Sequence, residues 1–441
     1  MKQLSKVLLV GTAAGILSGC PAPGAGNGYS GPPTLTSLGI QDARSLFIAG
    51  QGAGQYRTMY GGPQTQALYK VDASGAVSPV EAKFGNNSGY MGMTLNPQFM
   101  TQIGENYVVI GTMGWGTYLV RRTDGKSVRL DASHTPMPLA YNYPGGLPPV
   151  QADKVGNIYL NSSQEGLFKV ALPATLTTDE LTKTSVVKGE LEFVQQFAVS
   201  HDGYMVAMVS PKGPPHSVRT RLYKPNGSVQ NISSDQHFGG GMWVAKDGSL
   251  YANIHGASGG GLHMLVVDGS GNGTFRPVEG WSESQGSVSP YETPALLPDQ
   301  SVLLGNETIS EPGTPENPSG VQTIKYYLSF IKGVNATKER LTKVPKPLSI
   351  GASATQVMVL GVDEDDTTMV ASFDPVTKEE KVIFKEPAYQ ILKMTVAADG
   401  TVTVNALRLA DNTYVVADIK DGALAVASSE LPPVQQFLTL Q

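Results

Sequence analysis

One cysteine, Cys20, serves the whole 441-residue chain, so no internal disulfide staples the fold. Charge is scarce as well: charged residues make up 16% and the net charge is -5 at pH 7. That balance offers no basic footprint for nucleic acid. No apolar run approaches the roughly 18 residues of a permanent membrane-spanning helix. Nor does any stretch keep a helical period over about ten residues, which excludes layered α/β folds. Tryptophan and histidine are rare, with three and six residues.

What the chain has in quantity is punctuation, 51 glycines and 30 prolines beside 40% hydrophobic residues. That is a turn-rich, all-β composition with enough apolar material for a core. The clearest stretch runs from Gln195 to Ile232. Its turns fall at Asp202-Gly203 and Asn226-Gly227, dipeptides that tolerate positive φ in a hairpin. Between them Met205, Ala207 and Val209 alternate with Tyr204, Val206 and Met208, so both faces of that strand are apolar. Such a strand needs a sheet packed on either side. Farther out, Arg219 and Arg221 alternate with Val218, Thr220 and Leu222. A four-stranded antiparallel sheet, apolar within and polar at its outer edge, is the pattern of one propeller blade.

The pattern recurs about every fifty residues, the cadence of blades. Eight units are read, over 43–82, 91–131, 148–190, 195–232, 240–278, 291–341, 349–384 and 390–429. Their turn signals include Ser74-Gly75, Asp124-Gly125, Gly156-Asn157, Asp247-Gly248, Asp268-Gly269, Asp399-Gly400 and Asp421-Gly422. The expectation is an all-β, eight-bladed β-propeller of four-stranded antiparallel blades over residues 37–441. Seven blades is the alternative if the first unit is only a partial or closing blade, and tandem β-sandwiches are the competing fold. The repeats resemble bacterial propeller families in a general way, through an apolar strand, Asp-Gly, a second apolar strand and a further hairpin. They carry no Gly-His…Trp-Asp signature, no recurring Asp-box and no repeated tryptophan.

Residues 1–19 read as a signal peptide, with Lys2 and Lys6 ahead of an apolar run from Val7 to Ile16. The ending Leu17-Ser18-Gly19-Cys20 resembles the lipobox of bacterial lipoproteins. The resemblance implies cleavage before Cys20 and acylation of that residue, and several acyl chains suffice for stable attachment. A cleaved signal ahead of a free Cys20 is the plainer alternative. Pro21 is not the acidic residue of an inner-membrane retention signal, so the expected address is the outer membrane of the cell envelope. Residues 20–36 are too rich in Gly and Pro to build an element and read as a flexible tether.

Candidate site residues fall in two groups. His201, His237, His255 and His263 cluster in the fourth and fifth units. Histidines gathered at a propeller axis would suit a metal or acid–base chemistry; hydrogen-bonded turn residues are the plainer reading. Trp115, Tyr141 and Tyr143 sit in glycine-rich loops, as do Tyr56 and Tyr60. Exposed aromatics there would stack on sugar rings or anchor a protein partner, while channel or inter-blade packing is the alternative. Gly256-Ala257-Ser258-Gly259-Gly260 matches G-x-S-x-G but is flanked by strands on both sides, unlike a nucleophile elbow. The acidic run Asp363-Glu364-Asp365-Asp366 lacks the spacing of a calcium loop and reads as a solvated turn.

These residues point to a monomeric, membrane-anchored binding or scaffold module for a protein or carbohydrate ligand. The alternative is a surface or periplasmic enzyme, of lyase or glycoside-hydrolase type, that uses axial histidines. No residue pattern specifies a cofactor.

Overall fold

The computed structural model describes residues 34–50, 66–85, 95, 97–112, 116–131, 150–162, 166–172, 176, 181, 183–188, 192–213, 218–232, 236–256, 261–281, 294–311 and 321–440. Their strands form eight four-stranded antiparallel sheets and one two-stranded ribbon. Numbered along the chain, blades 2 to 8 span 97–131, 150–188, 192–231, 236–277, 295–340, 346–385 and 389–431. Each runs in simple meander order, first strand innermost. Blade 1 differs: Ala43–Ala49, Ala67–Asp72 and Val77–Pro79 are completed by Val434–Thr439, which pairs along Ala43–Ala49 as the innermost strand. The first unit is therefore a closing blade and also a full one, which settles the count at eight.

Blade 4 shows why the repeats cannot stand alone. Met205, Ala207 and Val209 pack into a cluster with Tyr159 and Leu167 of blade 3. On the other face Val206 and Met208 pack with Met242, Leu250 and Ala252 of blade 5. A fully buried valine such as Val206 contributes about 1.5–3 kcal/mol, available only while both neighbours are present.

The hairpin connections share one geometry. Ser200 accepts from the Gly203 amide at 3.0 Å and donates its own to the Tyr204 carbonyl at 2.8 Å. The same pair of bonds recurs at Asp72/Gly75/Ala76, Asp153/Gly156/Asn157, Lys224/Gly227/Ser228, Ala245/Gly248/Ser249 and Ala397/Gly400/Thr401. This is the three-residue connection closed by a left-handed glycine. In blade 5 the glycine so used is Gly271 (φ 77°), bonded to Asp268, rather than the Gly269 of the Asp268-Gly269 signal. Asp421 and Gly422 both have positive φ, 49° and 80°, and make a two-residue turn.

Glutamines tie blade to blade. Gln436 accepts from the Met100 amide at 3.0 Å and donates to its carbonyl at 2.9 Å, joining the innermost strands of blades 1 and 2. Gln151 repeats the device between blades 3 and 4, through Val199 N–H and the Phe197 carbonyl. On the outside of blades 1 and 2 lies the ribbon, Leu35–Leu38 against Ala82–Phe84. It takes in Leu35 and Thr36, which composition assigns to the end of the tether. Leu35, Leu38 and Ile40 are fully buried there beside Tyr118 and Val120 of blade 2.

Candidate functional site

Meander blades give the ring two unlike rims. On one, the first strand of a blade turns into the second and the third into the fourth. Most of these connections are short, as at 153–156, 200–204, 245–249, 297–300, 353–356 and 397–401. The opposite rim receives the connections from second to third strand and from one blade to the next. Several are long, from Ala49 to Ala67, Asp131 to Val150, Pro277 to Ala295 and Glu311 to Val321. Trp115, Tyr141, Tyr143, Tyr56 and Tyr60 lie outside the described residues, in stretches whose flanking strand ends all lie on this second rim. Cys20 also lies outside them.

The histidines do not form one group. His201 occupies the first connection of blade 4, on the short-turn rim. It lies so close to the next blade that a Cβ on Gly248 would come within 2.5 Å of the His201 Cβ. His237 and His255 sit at the other rim and are direct register partners on the first two strands of blade 5; their side chains lie outside the described residues. His263 pairs with Ala252, which puts it at the opposite parity from position 255 and so on the other face of the blade. Its Nδ1 is 2.9 Å from the Gly261 carbonyl, which can only accept, so Nδ1 carries the proton. Among the described residues no three His, Cys, Asp or Glu side chains are placed to hold a metal ion.

Two other sequence motifs have local explanations. Strands 250–256 and 261–267 flank the G-x-S-x-G stretch, so no helix follows it. Asp363 accepts the amides of Asp365 and Thr367 at 2.9 and 2.8 Å, and Lys385 Nζ lies 2.6 Å from its other oxygen. Lys385 and these amides hold the Asp363 carboxyl below the usual carboxylate range. It is a turn cap on the second rim, with two amides on one oxygen and an ammonium on the other.

Two features escape a reading by motif. The first is the seam between blades 5 and 6. Of the six buried side-chain polar atoms without a hydrogen-bond partner among the described residues, four belong to these blades: Trp243 Nε1, Asn253 Oδ1, Ser301 Oγ and Ser329 Oγ. Trp243 stacks on Tyr251, ring centroids 5.4 Å apart, and packs with Leu303 and Ile331 of blade 6. Ser301 and Ser329 are the register partners of Ile331 and Leu303, so they share the face that meets blade 5. The second feature is Lys393, on the innermost strand of blade 8, whose Nζ donates to the Gln435 carbonyl of blade 1. One alternation along that strand, the Thr395 and Thr439 hydroxyls meet at 2.5 Å. Only an inventory of charge by strand position would have found Lys393, because its neighbours in sequence form no motif.

No protein-family model matches the chain, and neither does any curated protein. Among solved structures it is similar to puromycin hydrolase, at 15% identity over 88% of this chain and 59% of that one, with a TM-score of 0.39. A streptogramin B lyase shares 10% identity over 70% of this chain and 90% of its own, at 0.34. The C-terminal WD40 domain of Sif2 shares 12% over 85% and 93%, at 0.40. The chain thus spans well under two thirds of the hydrolase, and hydrolases and WD40 proteins alike stand among the structures it resembles.

Proposed function

We propose that this propeller is a binding module of the cell envelope, held at a membrane through acylated Cys20, and that it presents its long-connection rim to a protein or glycan partner. The asymmetry of the two rims carries the reading. One is closed by tight turns, whereas the other collects the long connections and the stretches bearing Trp115, Tyr141 and Tyr143. Variable connections on a rigid ring are a common basis of recognition. An enzyme built on axial histidines has less support, since His201 lies on the opposite rim from His237 and His255.

The experiment compares three forms of the purified full chain against a glycan array and an envelope-protein extract. They are the native sequence, a variant with 51–65 and 132–149 replaced by short Gly-Ser turns, and one altered at turn-rim Val155 and Asp202. The rim reading expects the same partner for the native and turn-rim forms and its loss in the shortened one. A partner retained equally by all three overturns it. The anchor is read separately: radiolabelled palmitate should enter the native chain and not Cys20→Ser.

A further inference from the structure

The innermost strands of the blades line the central channel, and five of them carry a β-bulge at one level. Gln435 in blade 1, Gln98 in blade 2, Gln195 in blade 4, Leu348 in blade 7 and Leu392 in blade 8 each lack a register partner on the second strand. Each stands five residues ahead of the position that meets the second strand at the short-turn rim: Leu440, Ile103, Ser200, Ser353 and Ala397. Blade 5 has Gly239, Gly240 and Gly241 at this level, so no side chain enters from there. A bulge takes its extra residue out of the alternation that serves the two faces of the blade, and on an innermost strand that turns it toward the channel. Burial follows the same pattern. Val194, Pro347, Ile391 and Val434 are buried, whereas the next residue in each case is exposed, Leu348 by 53% and Leu392 by 40%.

The collar lies toward the long-connection rim, because its glutamines reach the ends of connections there. Gln435 Nε2 donates to the Gly50 carbonyl at 3.1 Å, and Gln195 Nε2 to the Ser210 hydroxyl at 2.8 Å. Each of these amides keeps a second N–H and a carbonyl oxygen that bond to nothing else among the described residues. Lys393, beside Leu392, donates to the backbone carbonyl of Gln435 and so ties the bulge of blade 1 to blade 8. The innermost strands of blades 7, 8, 1 and 2 touch in that order. Leu348, Leu392, Gln435 and Gln98 therefore form one arc, apolar at one end and amide at the other, with Gln195 across the channel. The collar side chains include no carboxylate, ammonium or aromatic ring. They offer no counter-ion to a charged group and no platform for a sugar ring. Leucines suit an aliphatic side chain, and a primary amide matches both the N–H and the C=O of a peptide group.

We propose that the channel mouth on the long-connection rim receives an uncharged peptide segment of a protein partner. An aliphatic side chain of the segment packs on Leu348 and Leu392, and its backbone pairs with the amides of Gln435 and Gln195. The inference rests on the rim reading for its face and narrows the partner there to protein. Desolvated apolar contact supplies most of the affinity, and the amides fix the direction of the chain.

The test selects a phage-displayed library of random dodecapeptides on the purified full chain and measures the recovered peptides by fluorescence anisotropy. They should be uncharged and share a Leu, Ile, Val or Met. Leu348→Gln/Leu392→Gln should raise their Kd at least about tenfold. It should leave the thermal midpoint unchanged, since glutamine already occupies the equivalent bulge of blades 1, 2 and 4. Gln435→Leu should weaken the same peptides by about fivefold, the loss of one neutral hydrogen bond. Should the double variant not fold, its two single variants decide on the same terms. The form with 51–65 and 132–149 shortened should bind the peptides as the native chain does. If that form alone loses them, the connections hold the partner, and the rim reading stands while this inference falls. Recovery of no specific peptide, of charged sequences, or of peptides that bind the double variant as tightly as the native chain overturns it. So does a neutral glycan whose binding depends on Leu348 and Leu392.

Discussion

Nη2 of Arg44 lies 2.7 Å from both carboxylate oxygens of Asp418, joining residues 374 positions apart. Arg44 is on the second strand of blade 1 and Asp418 is on the third strand of blade 8, so the contact spans the seam between the last blade and the first. Asp418 is buried and also accepts from the Thr403 hydroxyl at 2.8 Å. Arg44→Met leaves that carboxylate buried without its main partner, and should cost about 3–5 kcal/mol in urea unfolding. The double variant Arg44→Met/Asp418→Leu should recover most of the loss. A single-variant cost under about 1 kcal/mol would show that closure does not depend on the pair.

The seam between blades 5 and 6 predicts the reverse sign. Ser301 and Ser329 are fully buried, and neither hydroxyl has a partner among the described residues. Each therefore bears a desolvation cost of about 1–3 kcal/mol that alanine does not. Ser301→Ala and Ser329→Ala should each raise the thermal midpoint, although core truncations usually lower it. A lowered midpoint in both would mean that the hydroxyls are solvated or bonded in solution.

Most of the fold could be read from the sequence because blades are local. A turn glycine and two alternating strands lie within a few residues of each other, and Asp202-Gly203 and Asp247-Gly248 mark first-hairpin turns that the structure contains. The closing strand was hidden for the opposite reason. Val434–Thr439 has no hairpin partner nearby, and pairs with Ala43–Ala49 at the far end of the chain. Leu35–Leu38 was hidden by composition, since its apolar pattern follows directly on a Gly/Pro tract. Sites fared worse than strands. Blade register, which separates His263 from position 255, and inner-edge position, which singles out Lys393, appear only once the strands are paired.

The ribbon over blades 1 and 2 depends on one glycine. Gly125 has φ 70°, and a Cβ there would fall 2.0 Å from the Leu38 carbonyl oxygen, which already accepts from the Ile40 amide at 2.9 Å. The Leu38 amide in turn donates to the Gly125 carbonyl at 2.9 Å. Gly125→Ala combines left-handed backbone strain with a backbone clash, each about 1–3 kcal/mol. It should lower the midpoint and expose the stretch around Leu35 to protease. Unchanged cleavage would mean that the ribbon docks through Leu35 and Ile40 alone.

Alkaline stability should hinge on two tyrosines. Burial pushes the phenols of Tyr159 and Tyr251 up to about 12, with Asp153 adding to the effect at Tyr159 and Asp247 at Tyr251. In the unfolded chain each ionises near 10.0. The folded state thus keeps protons that the unfolded state releases, so stability is full below pH 10 and falls as the pH rises toward 12. Tyr251 also donates its hydroxyl to the Gly333 carbonyl at 3.0 Å, a bond that only the neutral phenol can make. Tyr251→Phe should therefore lose some stability at neutral pH and show a shallower decline in midpoint between pH 10 and 12. An alkaline limb of unchanged slope in both Tyr159→Phe and Tyr251→Phe would assign the decline to other groups.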